Sequence, residues 1–143
     1  MVNRFSNRVL IIDGQGGNMG RQLVEQLLLQ SNITLEVTVV GTNAIATANM
    51  LKASARVQGA TGENAVVVAC RRADVILGPL GIVIADALMG EVTPEMAKAV
   101  GQSDAVRILL PHDKCNTMVA GVPDGGMSAL IEDAMAKLKM VLK

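Results

Sequence analysis

Short apolar runs alternate with segments of helical periodicity along almost the whole chain, and this alternation constrains the fold more than any other feature. Each run has the length of a buried strand and ends beside glycine or proline, whereas the segments between them space apolar residues three and four positions apart. Such alternation favours an open sheet with helices on both faces. We therefore predict a Rossmann-like three-layer αβα sandwich, mostly parallel, with a strand order near 3-2-1-4-5. The predicted strands are residues 8–13, 35–40, 56–59, 74–78 and 106–110, and the predicted helices are 20–30, 44–55, 64–73, 82–89, 94–101 and 127–142.

The last third of the chain adds one more predicted strand and the clearest helix. Thr117–Val122 is an apolar run that follows the strand at 106–110 too closely for a helical crossover, so we predict an antiparallel edge strand. Residues 127–142 keep a strict apolar stripe with acids before lysines, which suits the helix dipole. At 143 residues the chain has the length of one domain, and we expect residues 1–143 to form a single Rossmann-like domain.

Composition argues against nucleic acid and membranes as partners. Half of the residues are apolar, yet Phe5 is the only aromatic, so the sequence lacks the stacking platforms used to bind single-stranded nucleic acid. Thirteen basic residues balance thirteen acidic ones, which leaves no net field to attract nucleic acid or anionic lipid. We find neither an apolar stretch of membrane-spanning length nor an export signal. We expect no nucleic-acid partner, no membrane association and a cytoplasmic location, and assembly into a homo-oligomer stays open.

The loop after the first predicted strand carries the sharpest functional motif. Gly14, Gly17 and Gly20 form G-x-x-G-x-x-G between a strand and a helix, the context of a dinucleotide-binding fingerprint. Glycine permits a tight turn and close approach of the main chain to a ligand, and the helix N-terminus attracts a phosphate. The alternative is a glycine-rich turn without a ligand. The predicted phosphate-binding residues are Gly14, Gly16, Gly17, Asn18, Met19 and Gly20.

The loops after the other strands are expected to complete the site, because ligands bind outside the carboxyl ends of the strands in such sheets. The second strand ends at Gly41, Thr42 and Asn43, without the carboxylate that usually binds ribose hydroxyls. Thr42 and Asn43 either hydrogen-bond a ribose or cap the next helix. The segment 78–81 is either a second anion cradle or a sharp turn beside a neighbouring element. The further predicted binding residues are Thr61, Asn64, Gly78, Gly81, Cys115 and Asn116.

Residues 112–116 gather a histidine, an acid, an amine and a thiol. A Cys115 thiolate is a candidate nucleophile, since a nearby cation such as Lys114 depresses the pKa of a thiol. Asp113 and Lys114 are the other catalytic candidates, and the alternative is that Cys115 is an ordinary loop cysteine. We predict no metal site, because two cysteines and one histidine without a CxxC pair support zinc poorly. Cys70, among valines and alanine, is predicted to be a small buried hydrophobe.

Several of these segments together resemble a known family. The family is a small bacterial one described only as a domain of unknown function, and the resemblance runs from about Arg8 to the final helix. It implies a compact, cytoplasmic α/β protein and no particular reaction. His112 lies outside the shared pattern, which favours Cys115 and Asn116 as binding groups over a Cys–His pair. The first loop alone is similar to the nicotinamide-binding loop of dihydrodipicolinate reductase. The segments that carry the family resemblance are IIDGQGGNMGRQLVEQL, GTNAIATANML, GATGENAV, GPLGIVIADALMGEVTPEMAKAVG and DKCN.

Three functions fit these features. The leading hypothesis is a binding protein for a nucleotide or phosphorylated metabolite, with NAD(P) the first candidate, that acts as a sensor, carrier or accessory subunit. In that hypothesis the backbone amides of residues 16–20 hold the phosphate and Thr42 and Asn43 reach a ribose. The first alternative is a small enzyme that uses Cys115, Lys114 and Asp113 beside the bound ligand. The second is a structural assembly protein without a small ligand.

Overall fold

Strands and helices alternate in the computed structural model, which describes residues 7–30, 34–112, 116–122 and 125–142. The predicted strand at 56–59 lies two residues further along, and the segment 64–73 is a helix as predicted. The strands are β1 (Asn7–Asp13), β2 (Leu35–Gly41), β3 (Gln58–Thr61), β4 (Val75–Pro79) and β5 (Val106–Leu110). The helices are α1 (Asn18–Leu27), α2 (Ala44–Leu51), α3 (Glu63–Arg72), α4 (Pro94–Gln102) and α5 (Met127–Val141), with a 3-10 helix at Leu80–Val83.

The strands form a parallel sheet in the order β3-β2-β1-β4-β5, which confirms the predicted order. β1 lies at the centre and pairs with β2 from Asn7 opposite Leu35 to Asp13 opposite Gly41. The chain winds from β1 toward the β3 edge and then returns to place β4 and β5 on the other side of β1. The direction of winding therefore reverses between β1 and β4.

Side chains of β1 alternate between two hydrophobic cores. Val9 and Ile11 pack with the residues of α1, α2 and α5, whereas Leu10 and Ile12 pack with those of α3 and α4. All four are at most 2% exposed. A sheet covered by helices on both faces has strands of continuous aliphatic sequence, as β1 has. The predicted three-layer sandwich is confirmed.

The predicted start of α4 is also confirmed. The Thr93 hydroxyl accepts a hydrogen bond of 3.2 Å from the backbone N–H of Met96, and Pro94 occupies the first turn. Proline fits there because its missing N–H would have no partner in a helix in any case. Within the described ranges, we find no helix that is long and apolar enough to cross a membrane.

The predicted antiparallel edge strand at Thr117–Val122 is wrong. These residues form turns and irregular structure, and every strand pair among the described residues is parallel. The backbone at Asn116 and Gly121 is left-handed, with φ of 60° and 80°. That conformation interrupts the extended backbone that a strand requires. The Val122 N–H donates within the segment, to the carbonyl oxygen of Val119 at 3.4 Å, rather than to β5.

The predicted helix at Ile82–Met89 is wrong as well. Its first residues belong to the 3-10 helix Leu80–Val83, after which the backbone is left-handed at Asp86, Leu88 and Met89. Left-handed residues cannot continue a right-handed helix. Three of the seven apolar side chains of this segment are buried, those of Ile82, Ala87 and Leu88, whereas Met89 is 95% exposed. A turn, and not a helix, holds the buried ones.

Candidate functional site

A cavity of about 200 Å³ lies at the carboxyl ends of the central strands β1 and β4. The winding of the sheet reverses there, and open α/β sheets bind ligands at this position. Four other spaces are larger. Two, of about 470 and 630 Å³, are grooves between pairs of helices, one of about 320 Å³ lies between β5 and α5, and one of about 220 Å³ lies between the sheet and α3. The residues that line the cavity are Asp13, Gly14, Gln15, Gly16, Gly17, Asn18, Met19, Pro79, Leu88, His112 and Met127.

The turn between β1 and α1 requires glycine at one position. The Gly17 N–H donates to the carbonyl oxygen of Gly14 at 3.0 Å, and Gly17 has a left-handed φ of 77°. A Cβ at Gly17 would lie 2.7 Å from the carbonyl oxygen of Ala46 in α2, so both the conformation and the packing exclude a side chain. Gly16 differs, because a Cβ there would meet no atom within 4 Å.

Side-chain amides of α2 and its cap hold the carbonyl groups of this turn. Asn43 Nδ2 donates to the Gln15 carbonyl oxygen at 3.0 Å, and Asn49 Nδ2 donates to the Gly16 carbonyl oxygen at 2.9 Å. Across a trans peptide bond, the N–H of the following residue points opposite to the carbonyl. The N–H groups of Gly16 and Gly17 are therefore directed away from α2.

Three backbone N–H groups of the turn have no acceptor among the described protein atoms: those of Gly16, Asn18 and Met19. Asn18 and Met19 are the first two residues of α1, and the first N–H groups of any helix lack intrahelical partners. The positive end of the helix dipole lies at the same point. All three residues line the cavity, so the turn offers a group of unused donors suited to an anionic oxygen.

Asp13 is a buried carboxylate beneath the turn, only 6% exposed. Its Oδ1 accepts a hydrogen bond of 2.8 Å from the Gly14 N–H, and its Oδ2 accepts one of 2.7 Å from the Gly20 N–H. Burial raises the pKa of Asp13, the two N–H groups oppose that rise, and the negative charge of Glu91 adds to it. Because both oxygens bind the main chain, Asp13 serves to hold the turn in shape.

Glu91 reaches the end of β2 from the segment that precedes α4. Its Oε1 accepts hydrogen bonds from the Gln15 N–H at 2.8 Å, from Thr42 Oγ1 at 2.7 Å and from Asn43 Nδ2 at 2.6 Å. Burial alone would raise the pKa of Glu91, but these three donors outweigh it and hold the pKa below its usual range. The carboxylate is therefore ionised at neutral pH. Thr42 and Asn43, predicted to bind a ribose, are engaged with a carboxylate of the protein itself.

Other polar residues at the ends of β2 and β3 stabilise the helix that joins them. Asn43 Oδ1 accepts a hydrogen bond of 2.8 Å from the Ala46 N–H, so the helix-cap alternative for Asn43 is confirmed. Thr47 Oγ1 accepts a hydrogen bond of 3.1 Å from the Gly41 N–H and lies 2.7 Å from Thr61 Oγ1. Gly41 and Thr61, both predicted site residues, thus fix α2 to the sheet and lie outside the cavity lining.

Most of the remaining predicted site residues do not line the cavity. A Cβ at Gly20 would collide with Met50 of α2, and a Cβ at Gly78 would collide with the Ile12 carbonyl oxygen of β1, so both glycines permit close packing. Gly81 is buried in the 3-10 helix. Asn64, Gly81 and Asn116 are not among the residues that line the cavity. Asp113, Lys114 and Cys115 lie outside the described residues, and the enzyme hypothesis built on them stays a prediction.

Glu91 and several of the cavity residues were not predicted from the sequence. The three hydrogen-bond partners of Glu91 lie 76, 49 and 48 residues away from it in sequence, so no local spacing indicates its role. Asp13 did have a signal, because an acid that ends a buried apolar run directly before a glycine turn needs main-chain partners. His112 lines the cavity although it lies outside the family pattern.

Cys70 is confirmed as a small buried residue. It is 4% exposed, and burial raises the pKa of its thiol to about 11. Among the residues that the structure describes, no cluster of three or more histidine, cysteine, aspartate or glutamate side chains is placed to hold a metal ion.

A protein-family model described as "Domain of unknown function (DUF3842)" matches residues 8–143, which confirms the family resemblance predicted from the motifs. The sequence has no significant match among curated proteins.

Several solved structures are similar in fold at low identity. A wide-type short-chain dehydrogenase/reductase from Veillonella parvula in complex with NADP is 17% identical, with a TM-score of 0.44, and the match covers 70% of this chain but only 45% of that one. A dodecameric FMN-dependent UbiX-like decarboxylase from Escherichia coli is 12% identical, with a TM-score of 0.44 and coverage of 92% and 94%. Mycobacterium tuberculosis shikimate dehydrogenase is 18% identical, with a TM-score of 0.41 and coverage of 93% and 56%. At these identities and TM-scores, nothing about the ligand of this chain follows from the likeness.

Proposed function

This chain belongs to the family described as a domain of unknown function (DUF3842), and we propose that it binds a small phosphorylated ligand, a nucleotide or a phosphorylated metabolite, at the turn between β1 and α1. One observation carries the proposal: the N–H groups of Gly16, Asn18 and Met19 have no acceptor among the described protein atoms, and these residues line the cavity. Phosphate oxygens are the usual acceptors for such donors at a helix N-terminus.

A further residue of the lining supports an anionic ligand. His112 lines the cavity and can donate a hydrogen bond to a phosphate oxygen. The described lining includes no lysine or arginine, so main-chain N–H groups and the helix dipole supply most of the attraction. A ligand with a single phosphate fits this modest positive potential.

The side chains of the cavity support a binding role. Asp13 and His112 are the titratable residues among the described lining, and both oxygens of Asp13 are used to hold the turn. A general acid–base mechanism needs a group free to exchange a proton with the substrate, and Asp13 is not such a group. We propose that the protein acts as a sensor, carrier or accessory subunit for its ligand, and NAD(P) remains the first candidate suggested by the sequence.

Isothermal titration calorimetry with inorganic phosphate and with AMP tests the proposal. Gly16 is the position to change, because a side chain there meets no neighbouring atom. We expect Gly16→Asp to weaken binding at least tenfold, since its carboxylate repels the phosphate, whereas Gly16→Asn has the same size without the charge and stays within about threefold of the wild type. Failure of the wild type to bind either probe, or equal binding by Gly16→Asp, would contradict the proposal.

A further inference from the structure

Residues 84–92, here named the crossing segment, pass from the end of β4 over β1 to the end of β2. Leu88 and Glu91 both lie on the turn after β1: a Cβ at Gly14 would be 2.8 Å from Leu88 Cδ1 and 3.1 Å from Glu91 Oε1. Glu91 then extends to Thr42 at the end of β2. Leu88 is the residue of the crossing segment among the described lining of the cavity, and Glu91 lies beside the same turn at the end of β2.

The Glu91 carboxylate occupies a position built to hold a negative oxygen. A backbone N–H, a hydroxyl and a side-chain amide, from two different loops, converge on the one atom Oε1 at 2.6 to 2.8 Å. Hydrogen bonds to an ionised acceptor are stronger than those between neutral groups. Any ligand group that approaches the end of β2 must compete with this internal anion for the same donors.

The end of β2 is where a dinucleotide needs room. In dinucleotide-binding α/β sheets, the phosphates lie on the glycine turn and a ribose lies at the end of the second strand, where an acid accepts hydrogen bonds from the ribose hydroxyls. Here Thr42 and Asn43 at that position already donate to Glu91. A second phosphate near Glu91 would also meet the repulsion of a like charge.

The crossing segment is held firmly in place. The Asp86 N–H donates to the Val92 carbonyl oxygen at 2.7 Å, and the Val92 N–H donates to the Ala87 carbonyl oxygen at 3.1 Å. Ala87, Leu88 and Val92 are each at most 6% exposed. These bonds and the burial hold the backbone of the crossing segment, and the three hydrogen bonds to Oε1 hold the Glu91 carboxylate at the end of β2.

We propose that Glu91 is a specificity-determining residue, which restricts the ligand to compact molecules with one phosphate group and disfavours pyrophosphates and dinucleotides. This inference rests on the proposed phosphate site and narrows its ligand class. The cavity volume agrees with it, because about 200 Å³ falls below the roughly 300 Å³ at which common small-molecule pockets begin. NAD(P), the first candidate from the sequence, is a dinucleotide and is therefore among the ligands that Glu91 disfavours.

Calorimetric titrations with inorganic phosphate, pyrophosphate and NAD⁺ test this inference. We expect the wild type to bind phosphate at least tenfold more tightly than pyrophosphate or NAD⁺. Glu91→Ala should raise the affinity for pyrophosphate and NAD⁺ about tenfold or more and change that for phosphate less than about threefold. Glu91→Gln removes the charge and keeps the shape, so it should raise the affinity for pyrophosphate more than that for NAD⁺. Glu95→Ala, which removes an exposed acid of α4, is the matched control and should equal the wild type.

The outcomes separate this inference from the proposed function. Wild-type protein that binds NAD⁺ or pyrophosphate as tightly as phosphate overturns the specificity role and leaves the phosphate site intact. The same holds if neither Glu91 variant changes the ranking of the three probes. If Glu91→Ala fails to fold, Glu91→Gln alone decides through its pyrophosphate affinity. If the wild type binds no probe, the proposed function fails and the specificity role fails with it.

Discussion

The Oδ2 atom of Asp13 accepts a hydrogen bond of 2.7 Å from the backbone N–H of Gly20, which ties the last residue of β1 to the first turn of α1. Oδ1 of the same carboxylate binds the Gly14 N–H at 2.8 Å. One buried side chain thus fixes both ends of the turn. Between these ends, the N–H groups of Gly16, Asn18 and Met19 have no acceptor among the described protein atoms, which is the arrangement that the proposed phosphate site requires.

Removing the charge of Glu91 is expected to lower the pKa of Asp13. Burial raises that pKa, and the negative charge of Glu91 raises it further, so Glu91→Gln removes the second contribution. NMR titration of the Asp13 carboxyl carbon measures the effect, and an unchanged midpoint would show that the two charges do not interact. Because the pKa is raised by folding, the stability contributed by Asp13 is present at low pH and is lost as the pH rises through the folded-state pKa. That loss should be smaller in Glu91→Gln.

Alanine substitutions at two adjacent glycines of the turn should change the free energy of unfolding by very different amounts. Gly17→Ala places a side chain on left-handed backbone and 2.7 Å from the Ala46 carbonyl oxygen, so it should lower the free energy of unfolding by about 2 kcal/mol or more. Gly16→Ala meets open space and should stay within about 0.5 kcal/mol of the wild type. Urea denaturation compares the two, and equal losses would contradict the conformation of this turn.

Asn43→Ala should destabilise the protein by about 1–2 kcal/mol, because the residue caps α2 and also bonds to Gln15 and Glu91. Asn43→Asp keeps an acceptor for the cap and loses the two donated bonds, so its stability should fall between alanine and the wild type at a pH below the titration of both acids. Asn64→Ala, at an exposed site on α3, is the control for an asparagine without these contacts. A loss in Asn64→Ala as large as that in Asn43→Ala would argue against the special role of Asn43.

Cys70 should resist alkylation in the folded protein. Its thiol is 4% exposed, and its pKa of about 11 against an ordinary 9.0 implies about a hundredfold less thiolate at neutral pH. In a Cys115→Ser background, iodoacetamide should modify Cys70 rapidly only after denaturation, as read by intact mass. Rapid labelling of the native protein would contradict the burial of this side chain.

The central sheet was predictable because its sequence signals are local. β1 is aliphatic on both faces and ends in a glycine turn, which together identify a central parallel strand followed by a helix. Thr93 and Pro94 mark the start of α4 for an equally local reason. The position of the candidate site at the carboxyl ends of the strands then follows from the topology alone.

The path of the crossing segment beside the candidate site was not predictable, because it depends on distant contacts. Leu88 and Met89 adopt left-handed backbone that their residue types disfavour, so periodicity predicted a helix where the chain turns. Glu91 acquires its role only when the turn after β1 and the end of β2 are brought beside it. The prediction of an edge strand at 117–122 was wrong for a related reason. A short linker limits how a strand can pair but does not establish that a strand forms.

The most direct test of the phosphate site is a ¹H–¹⁵N NMR titration of the full chain with inorganic phosphate at constant pH and ionic strength. We predict that the amide signals of Gly16, Asn18 and Met19 shift together and saturate with a single dissociation constant, since a phosphate oxygen is the acceptor that these groups lack. Saturable shifts confined to other surfaces, such as the groove between α3 and α4, or amides of the turn that do not respond at all, would contradict the assignment of this turn as the ligand site.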